Sequence, residues 1–288
     1  MTKSNLAASV RQRLLNKSKE NREAFDFVLS RYAIERFLYR LSLSQHSNTF
    51  VLKGAILFYF WNHEMHRPTR DIDFLGSGTA DCEILERIIT EIVTTPACED
   101  GLTFNTSTIK AAPIREEAFY DGIRAKLIAK LGTVRIPMQI DIGFGDAVTP
   151  APETKHIQSL ITELPGPEVN AYPMYSVIAE KLEAMVVLGE QNSRMKDFFD
   201  IHFLLTKEEL NANSIREAVV ATFKRRRTDL PLTTPPSLLV EFAVLKQMQW
   251  KAFLRRNNLE STNEDFSKIL EEIREHLPIN WISLGKES

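Results

Sequence analysis

The sequence predicts an α+β protein, with strands gathered in the middle of the chain and helices at both ends. Apolar residues recur at helical spacing from Asn5 to about Ser42 and again from Tyr175 onward. Between Ile123 and Ile142, two runs alternate apolar and polar residues, the period of a half-buried strand. Prolines 150, 152, 165, 167 and 173 punctuate the passage from the first kind of text to the second, and the boundary is placed there: a catalytic half at 1–172 and a helical half at 173–288. At 288 residues, 43% hydrophobic and 26% charged, the chain can bury a sizeable core.

Each element has its own signal. Leu6, Val10 and Leu14 make one helical stripe; Phe25, Val28, Leu29, Tyr32, Phe37, Leu38 and Leu41 make a second, with a polar break near Asn21. Thr49-Phe50-Val51-Leu52 is a short β-prone run stopped by Lys53-Gly54, and Ala55 to Trp61 restarts as a helix. Arg67-Pro68-Thr69 ends that helix, Asp71 to Leu75 reads as a strand closed by Gly76-Ser77-Gly78, and Ala80 to Thr94 is a helix on Ile84, Leu85, Ile88 and Ile92. Leu102 to Ile109 is a third strand. Ile123 to Leu131 and Val134 to Ile142, joined by Gly132-Thr133, form a hairpin. The proline-rich stretch reads as strand-poor or edge-like. Beyond it, helices are expected over Val177–Leu188, Asp197–Leu205, Ile215–Phe223, Leu238–Phe253 and Phe266–His276.

Composition removes several functional classes. A formal charge of -2 gives no global basic field, so nucleic-acid contact must come from a local patch. Lys224 to Arg227 and Lys251 to Arg256 are candidates, although such runs also occur as solvated helix faces. Cys82 and Cys98 lack metal-ligand spacing and suggest neither a zinc site nor a disulfide framework. No apolar signal core or membrane span is present, which predicts a soluble, cytoplasmic protein with no membrane partner.

Chemistry concentrates at Arg70-Asp71-Ile72-Asp73-Phe74. Side chains two apart in a strand share a face, so Asp71 and Asp73 project together, roughly 7 Å apart at their α-carbons, while Ile72 and Phe74 face the core. Asp141, between Ile140 and Ile142, lies on the corresponding face of its own strand, and an adjacent strand would bring it to the same place. Carboxylates about 4 Å apart repel by roughly 4 kcal/mol at an effective dielectric near 20, so a converged trio calls for a cation. Mg²⁺ suits such ligands; zinc or iron would want histidine, and His63 and His66 form no ligand pattern. Taken alone, Asp-Ile-Asp equally describes any half-exposed strand. Lys53-Gly54 before a helix start adds backbone N–H donors suited to phosphate.

Val51-Leu52-Lys53-Gly54-Ala55 followed by Arg67-Pro68-Thr69-Arg70-Asp71-Ile72-Asp73 resembles the first motif of the nucleotidyltransferase superfamily, and in detail the AbiEii/AbiGii toxin family. The resemblance extends to Gln139-Ile140-Asp141-Ile142-Gly143-Phe144-Gly145-Asp146, to Ala179-Glu180-Lys181-Leu182-Glu183-Ala184 and to Ser193-Arg194-Met195-Lys196-Asp197-Phe198-Phe199-Asp200. It implies a mixed-sheet nucleotidyltransferase domain with flanking helices, joined to a helical domain, with a nucleoside triphosphate and Mg²⁺ bound between them. Relatives serve as the toxin half of bacterial toxin-antitoxin or phage-defence pairs, and some add nucleotides to transfer RNA.

Carried over by position, Asp71, Asp73 and Asp141 are the metal ligands. Lys181 and Asp197 are the later catalytic lysine and aspartate. Lys53, Gly54, Ala55, Arg70, Lys181 and Arg194 are the residues expected to face the nucleotide. Many nucleotidyltransferases have Gly-Ser where this chain has Gly54-Ala55, so a hydroxyl contact to phosphate is absent and backbone donors remain.

Other roles stand beside these. Lys181 can be a surface lysine beside Glu180 and Glu183, and Asp197 a first-turn acid favoured by the helix dipole. Arg194 can be an ordinary loop charge, and Arg70 can pair with a nearby acid. The resulting expectation is a Mg²⁺-dependent nucleotidyltransferase toxin acting on tRNA and paired with an antitoxin. The alternatives are transfer to a protein or small molecule, or a non-catalytic binding protein on the same fold.

Overall fold

A computed structural model of the chain describes residues 3–62, 69–114, 122–259, 262–282 and 284. His63, His66 and the Arg67-Pro68 part of the first motif lie outside the described residues. The chain divides into two compact units. One comprises Met1–Gly145 and Glu153–Ala171, the other Asp146–Pro152 and Tyr172–Ser288.

The first unit is a mixed seven-stranded sheet flanked by helices. Helices α1 (Lys3–Glu20) and α2 (Phe25–Leu43) precede β1 (Phe50–Lys53), α3 (Ile56–Asn62) and β2 (Asp71–Gly76). Then follow α4 (Cys82–Thr94), β3 (Leu102–Pro113), the hairpin β4 (Gly122–Leu131) and β5 (Val134–Phe144), and the short strands β6 (Glu153–His156) and β7 (Glu168–Ala171). The sheet order is β3-β4-β5-β2-β1-β7-β6. β2 runs parallel to β5 and antiparallel to β1, so two segments far apart in sequence become neighbours at the centre.

One face of the sheet is apolar across its central strands β1, β2, β5 and β4. Phe50, Leu52, Ile72, Phe74, Ile123, Ala125, Leu127, Ile140 and Ile142 are all buried on it, beneath α1, α2 and α4. Burying such side chains contributes roughly 1.5–3 kcal/mol each, and because strand residues alternate, it fixes their neighbours on the opposite face. Helix α2 is anchored by polar groups as well as by its apolar stripe. Arg40 makes a two-point pair with Asp100 at 2.7 and 3.2 Å. Buried Glu35 accepts from Ser159 Oγ at 2.6 Å and from the Leu160 amide at 2.7 Å. Burial pushes the Glu35 carboxyl up despite Arg36 beside it.

The second unit is helical: α5 (Met174–Leu188), α6 (Met195–Lys207), α7 (Ala212–Arg226), α8 (Val240–Arg256) and α9 (Phe266–His276). Asn211 and Asp265 cap α7 and α9 through side-chain oxygens that accept backbone N–H donors. An aromatic core of Phe198, Phe242, Trp250 and Phe266 ties α6, α8 and α9 together, with Trp250 stacked on Phe266 at 4.9 Å. No described helix is long and apolar enough to cross a membrane.

Candidate active site

The polar face of the central strands carries the predicted carboxylates. In β2, Asp71 and Asp73 are half-buried and alternate with buried Ile72 and Phe74. The parallel register sets Asp73 opposite Asp141 and Asp71 opposite Gln139, while the antiparallel register on the other side sets Lys53 opposite Asp73. The order Lys53, Asp73, Asp141 therefore runs straight across three adjacent strands.

Gly54 closes against this row. Its φ is +82°, and a Cβ built on it would lie 2.0 Å from Asp73 Oδ2, 2.7 Å from Cγ and 2.9 Å from Cβ. The Asp73 carboxylate thus occupies the space that any other residue at 54 would fill with its own side chain. The turn needs glycine twice over, for its left-handed backbone and for that space. Ala55 is buried just before α3. The Lys53 ammonium extends toward β5, 3.9 Å from where a Cβ on Gly143 would stand.

Asp141 has a partner the sequence did not disclose. Arg124, opposite it on β4, donates from Nε at 2.9 Å and from a terminal nitrogen at 2.8 Å, and Gln139 Nε2 adds a longer bond at 3.3 Å. A guanidinium matches a carboxylate at two points, so this pair is well ordered. Among the described residues, no three His, Cys, Asp or Glu side chains are gathered as a metal-holding group. The three carboxylates lie on adjacent strands, but Asp141 is compensated by an arginine and does not join a closed trio. Arg70 is exposed and sits 4.7 Å over the Phe27 ring, with no acid paired to it among the described residues.

The later motifs meet in the second unit. Lys181 on α5 contacts Asp197 at 2.6 Å and Asp200 at 2.9 Å on α6, and Arg194 contacts the other Asp197 oxygen at 2.7 Å. Both aspartates are fully buried while Lys181 is 15% exposed, so Lys181 is not the surface lysine that its polar neighbours would suggest. Burial alone would raise the Asp197 carboxyl; Lys181 and Arg194 outweigh it and hold the group below its ordinary value. Asp197 does lie in the first turn of its helix.

Residues 36–272 match the family described as the nucleotidyl transferase AbiEii toxin of type IV toxin-antitoxin systems. The chain belongs to the AbiEii family. Two solved structures are similar to it. One is described as a proposed nucleotidyltransferase from H. pylori, with a TM-score of 0.45 and 16% identity over 88% of this chain and 92% of that one. The other is JHP933 from Helicobacter pylori, also at 0.45 and 16%, over 88% of this chain and 89% of that one. No curated protein matches.

As an AbiEii nucleotidyltransferase, the chain contains polar residues that motif reading passed over. In the sequence Arg226 is one of four consecutive basic residues, Lys224 to Arg227. Its side chain is only 11% exposed and lies among acids, at 3.0 Å from Asp146, 2.9 Å from Glu183 and 3.5 Å from Glu180. Thr228 adds a bond to Glu183 at 2.6 Å. Glu183 is accordingly buried, while Lys224, Arg225 and Arg227 remain exposed, so the run is no uniform patch. Asp200, Glu183 and Asp146 lie within the family motifs, and nothing in their spacing distinguishes a buried acid from an exposed one. Arg124 had one legible signal, its place on the polar side of an alternating strand.

Proposed function

We propose that this chain transfers a nucleoside monophosphate from a nucleoside triphosphate to an acceptor hydroxyl, with RNA, and tRNA first, as the acceptor class. In this reading it is the toxin of a bacterial toxin-antitoxin or phage-defence pair and has a cognate antitoxin. The observation that carries the proposal is the row Lys53, Asp73, Asp141 across three strands, closed by a glycine whose missing side chain makes room for the Asp73 carboxylate.

The donor set fits a hard divalent cation. Asp71 and Asp73 present carboxylate oxygens from one strand face, and Mg²⁺ readily takes one or two carboxylates and completes its shell with water and phosphate oxygens. When bound, Mg²⁺ would neutralise charge on the triphosphate and on the oxygens of the displacement. Asp71 and Asp73 are assigned to hold it. Asp141 is the third carboxylate of the site, oriented by the two-point contact from Arg124.

The acceptor O–H bond breaks and its oxygen bonds to the α-phosphorus. The bond from that phosphorus to the bridging oxygen of the β-phosphate breaks, and pyrophosphate leaves with the electron pair. The acceptor proton passes toward Asp141. The Gly54-Ala55 turn and Lys53 are assigned to the phosphates.

For Lys181, the family resemblance supports compensation of the charge that builds on pyrophosphate. Its contacts to two buried aspartates keep the ammonium in one place, and Arg194 adds a second cation. Asp197 is the residue that positions both.

The test is incubation of the protein with each α-labelled nucleoside triphosphate, Mg²⁺ and total cellular RNA or protein. The expected result is label in RNA that is lost in Asp73→Asn. Label appearing in protein would redirect the acceptor, and transfer by Asp73→Asn at the wild-type rate would remove this site.

A further inference from the structure

The polar sheet face continues beyond the Asp141–Arg124 pair to the edge strand β3. The registers define a second row, Asp71, Gln139, Lys126, Lys110, from β2 through β5 and β4 to β3. With strands about 4.8 Å apart, this row leads from carboxylate to lysine over roughly 14 Å. Lys110 and Lys126 are exposed and directly opposed. Further along the same face, Lys130 opposes Arg135 on β5.

Like charges placed directly opposite on a sheet repel, and this face carries two such pairs. Only Lys110 approaches an acid among the described ion pairs of these four residues, Glu86 at 4.0 Å. Beside the lysines lies a cleft of about 440 Å³ lined by Ala111, Ala112, Pro113 and Ile114 and by Arg124, the partner of Asp141. Cations along an apolar wall suit a chain of phosphates whose sugars and bases have flat, apolar faces. An extended acidic peptide would satisfy the cations and leave the wall unused.

We propose that this lysine-rimmed cleft binds the sugar-phosphate backbone of the RNA acceptor, with Lys110 and Lys126 on successive phosphates and the Ala111–Ile114 wall against a sugar or base. The proposal names the acceptor-binding residues of the nucleotidyl-transfer reading above and rests on that reading for its chemistry. It places the contact away from the basic runs around Arg225 and Arg255, which the sequence offers as candidate contacts beside their reading as solvated helix faces.

The experiment measures binding of fluorescein-labelled total tRNA to the full chain by anisotropy across a salt series. It compares wild type with the Lys110→Ala/Lys126→Ala and Lys110→Arg/Lys126→Arg double variants. Each single-strand phosphate contact contributes a salt slope of about 0.7, so losing two weakens binding by roughly tenfold near 0.15 M salt and reduces the slope by about 1.4. Circular dichroism should be unchanged, because both side chains are exposed, and the arginine variant should bind like wild type.

Equal affinity and slope in the alanine variant would overturn the proposal, as would polyglutamate competing as well as RNA. The two readings fail separately. A wild-type protein that binds tRNA through these lysines but attaches no nucleotide defeats the transferase reading and leaves the cleft. Undiminished labelling of RNA by the alanine variant defeats the cleft and leaves the transferase.

Discussion

Replacing Gly54 by alanine tests the geometry of the carboxylate row more directly than removing a carboxylate. Two costs arise. At φ +82° an alanine is held in a left-handed conformation, at about 1–2 kcal/mol. Its Cβ would also stand 2.0 Å from Asp73 Oδ2, with Cγ and Cβ of the same residue inside 3 Å. Relief requires the Asp73 side chain to move by about 1 Å, and a displacement of that size at a reacting centre lowers rates by roughly a hundredfold.

Gly78 separates the two costs. Its φ is +98°, and a Cβ there would meet nothing within 4 Å. Gly78→Ala should therefore show the conformational cost alone. The assay pairs initial rates of labelled nucleotide transfer with thermal melting. Both variants should lose a few degrees of Tm, while only Gly54→Ala should lose about a hundredfold in kcat/KM. A Gly54→Ala protein within threefold of wild type would refute the reasoning, and so would a Gly78→Ala protein equally inactive.

Other perturbations reach the helical unit. Lys181→Met leaves two fully buried aspartates short of their shared cation; a loss of about 3–5 kcal/mol is expected by urea denaturation, and a loss under 1 kcal/mol would mean the pair is not structurally coupled. The Asp197 carboxyl is held low by Lys181 and Arg194 against its burial. Its contribution is therefore fully present above the unfolded pKa of about 3.9 and falls away as pH drops through the lower folded value. Urea midpoints measured from pH 6 to pH 2 should show less acid-dependent loss in Asp197→Asn than in wild type. Arg226→Ala strands Asp146 and Glu183, for a comparable loss of about 3–5 kcal/mol. Exposed Lys224→Ala, two residues earlier, should change stability by less than about 0.5 kcal/mol in the same melts.

The elements themselves were legible because periodicity is a local property. The hairpin expected over Ile123–Leu131 and Val134–Ile142 is β4 and β5 within two residues at each end. The helix expected over Phe266–His276 is α9. The proline-rich stretch, read as strand-poor or edge-like, holds the two short strands β6 and β7; four residues each is too little text for alternation to show. Helix α2 read as an apolar stripe. Its burial of Glu35, Arg36 and Arg40 was invisible because partners such as Ser159, Pro165 and Asp100 lie 60 to 129 residues away.

The candidate site divides along the same line. Asp71, Asp73, Asp141 and the Lys53-Gly54 turn could be picked out from sequence because strand alternation and glycine chemistry act over a few residues, and the family motifs added Lys181 and Asp197. Which strands become neighbours is another matter. The parallel pairing of β2 with β5 sets Asp73 beside Asp141, and the hairpin register then hands Asp141 to Arg124. Spacing in sequence carries no information about that pairing, which follows from burying the Ile72, Phe74, Ile140 and Ile142 face as one surface. Charge shows the same limit. Four consecutive basic residues look alike as text, yet Arg226 turns inward to acids contributed from 43 and 80 residues away. Its burial is decided by long-range packing of α7 rather than by anything within the run.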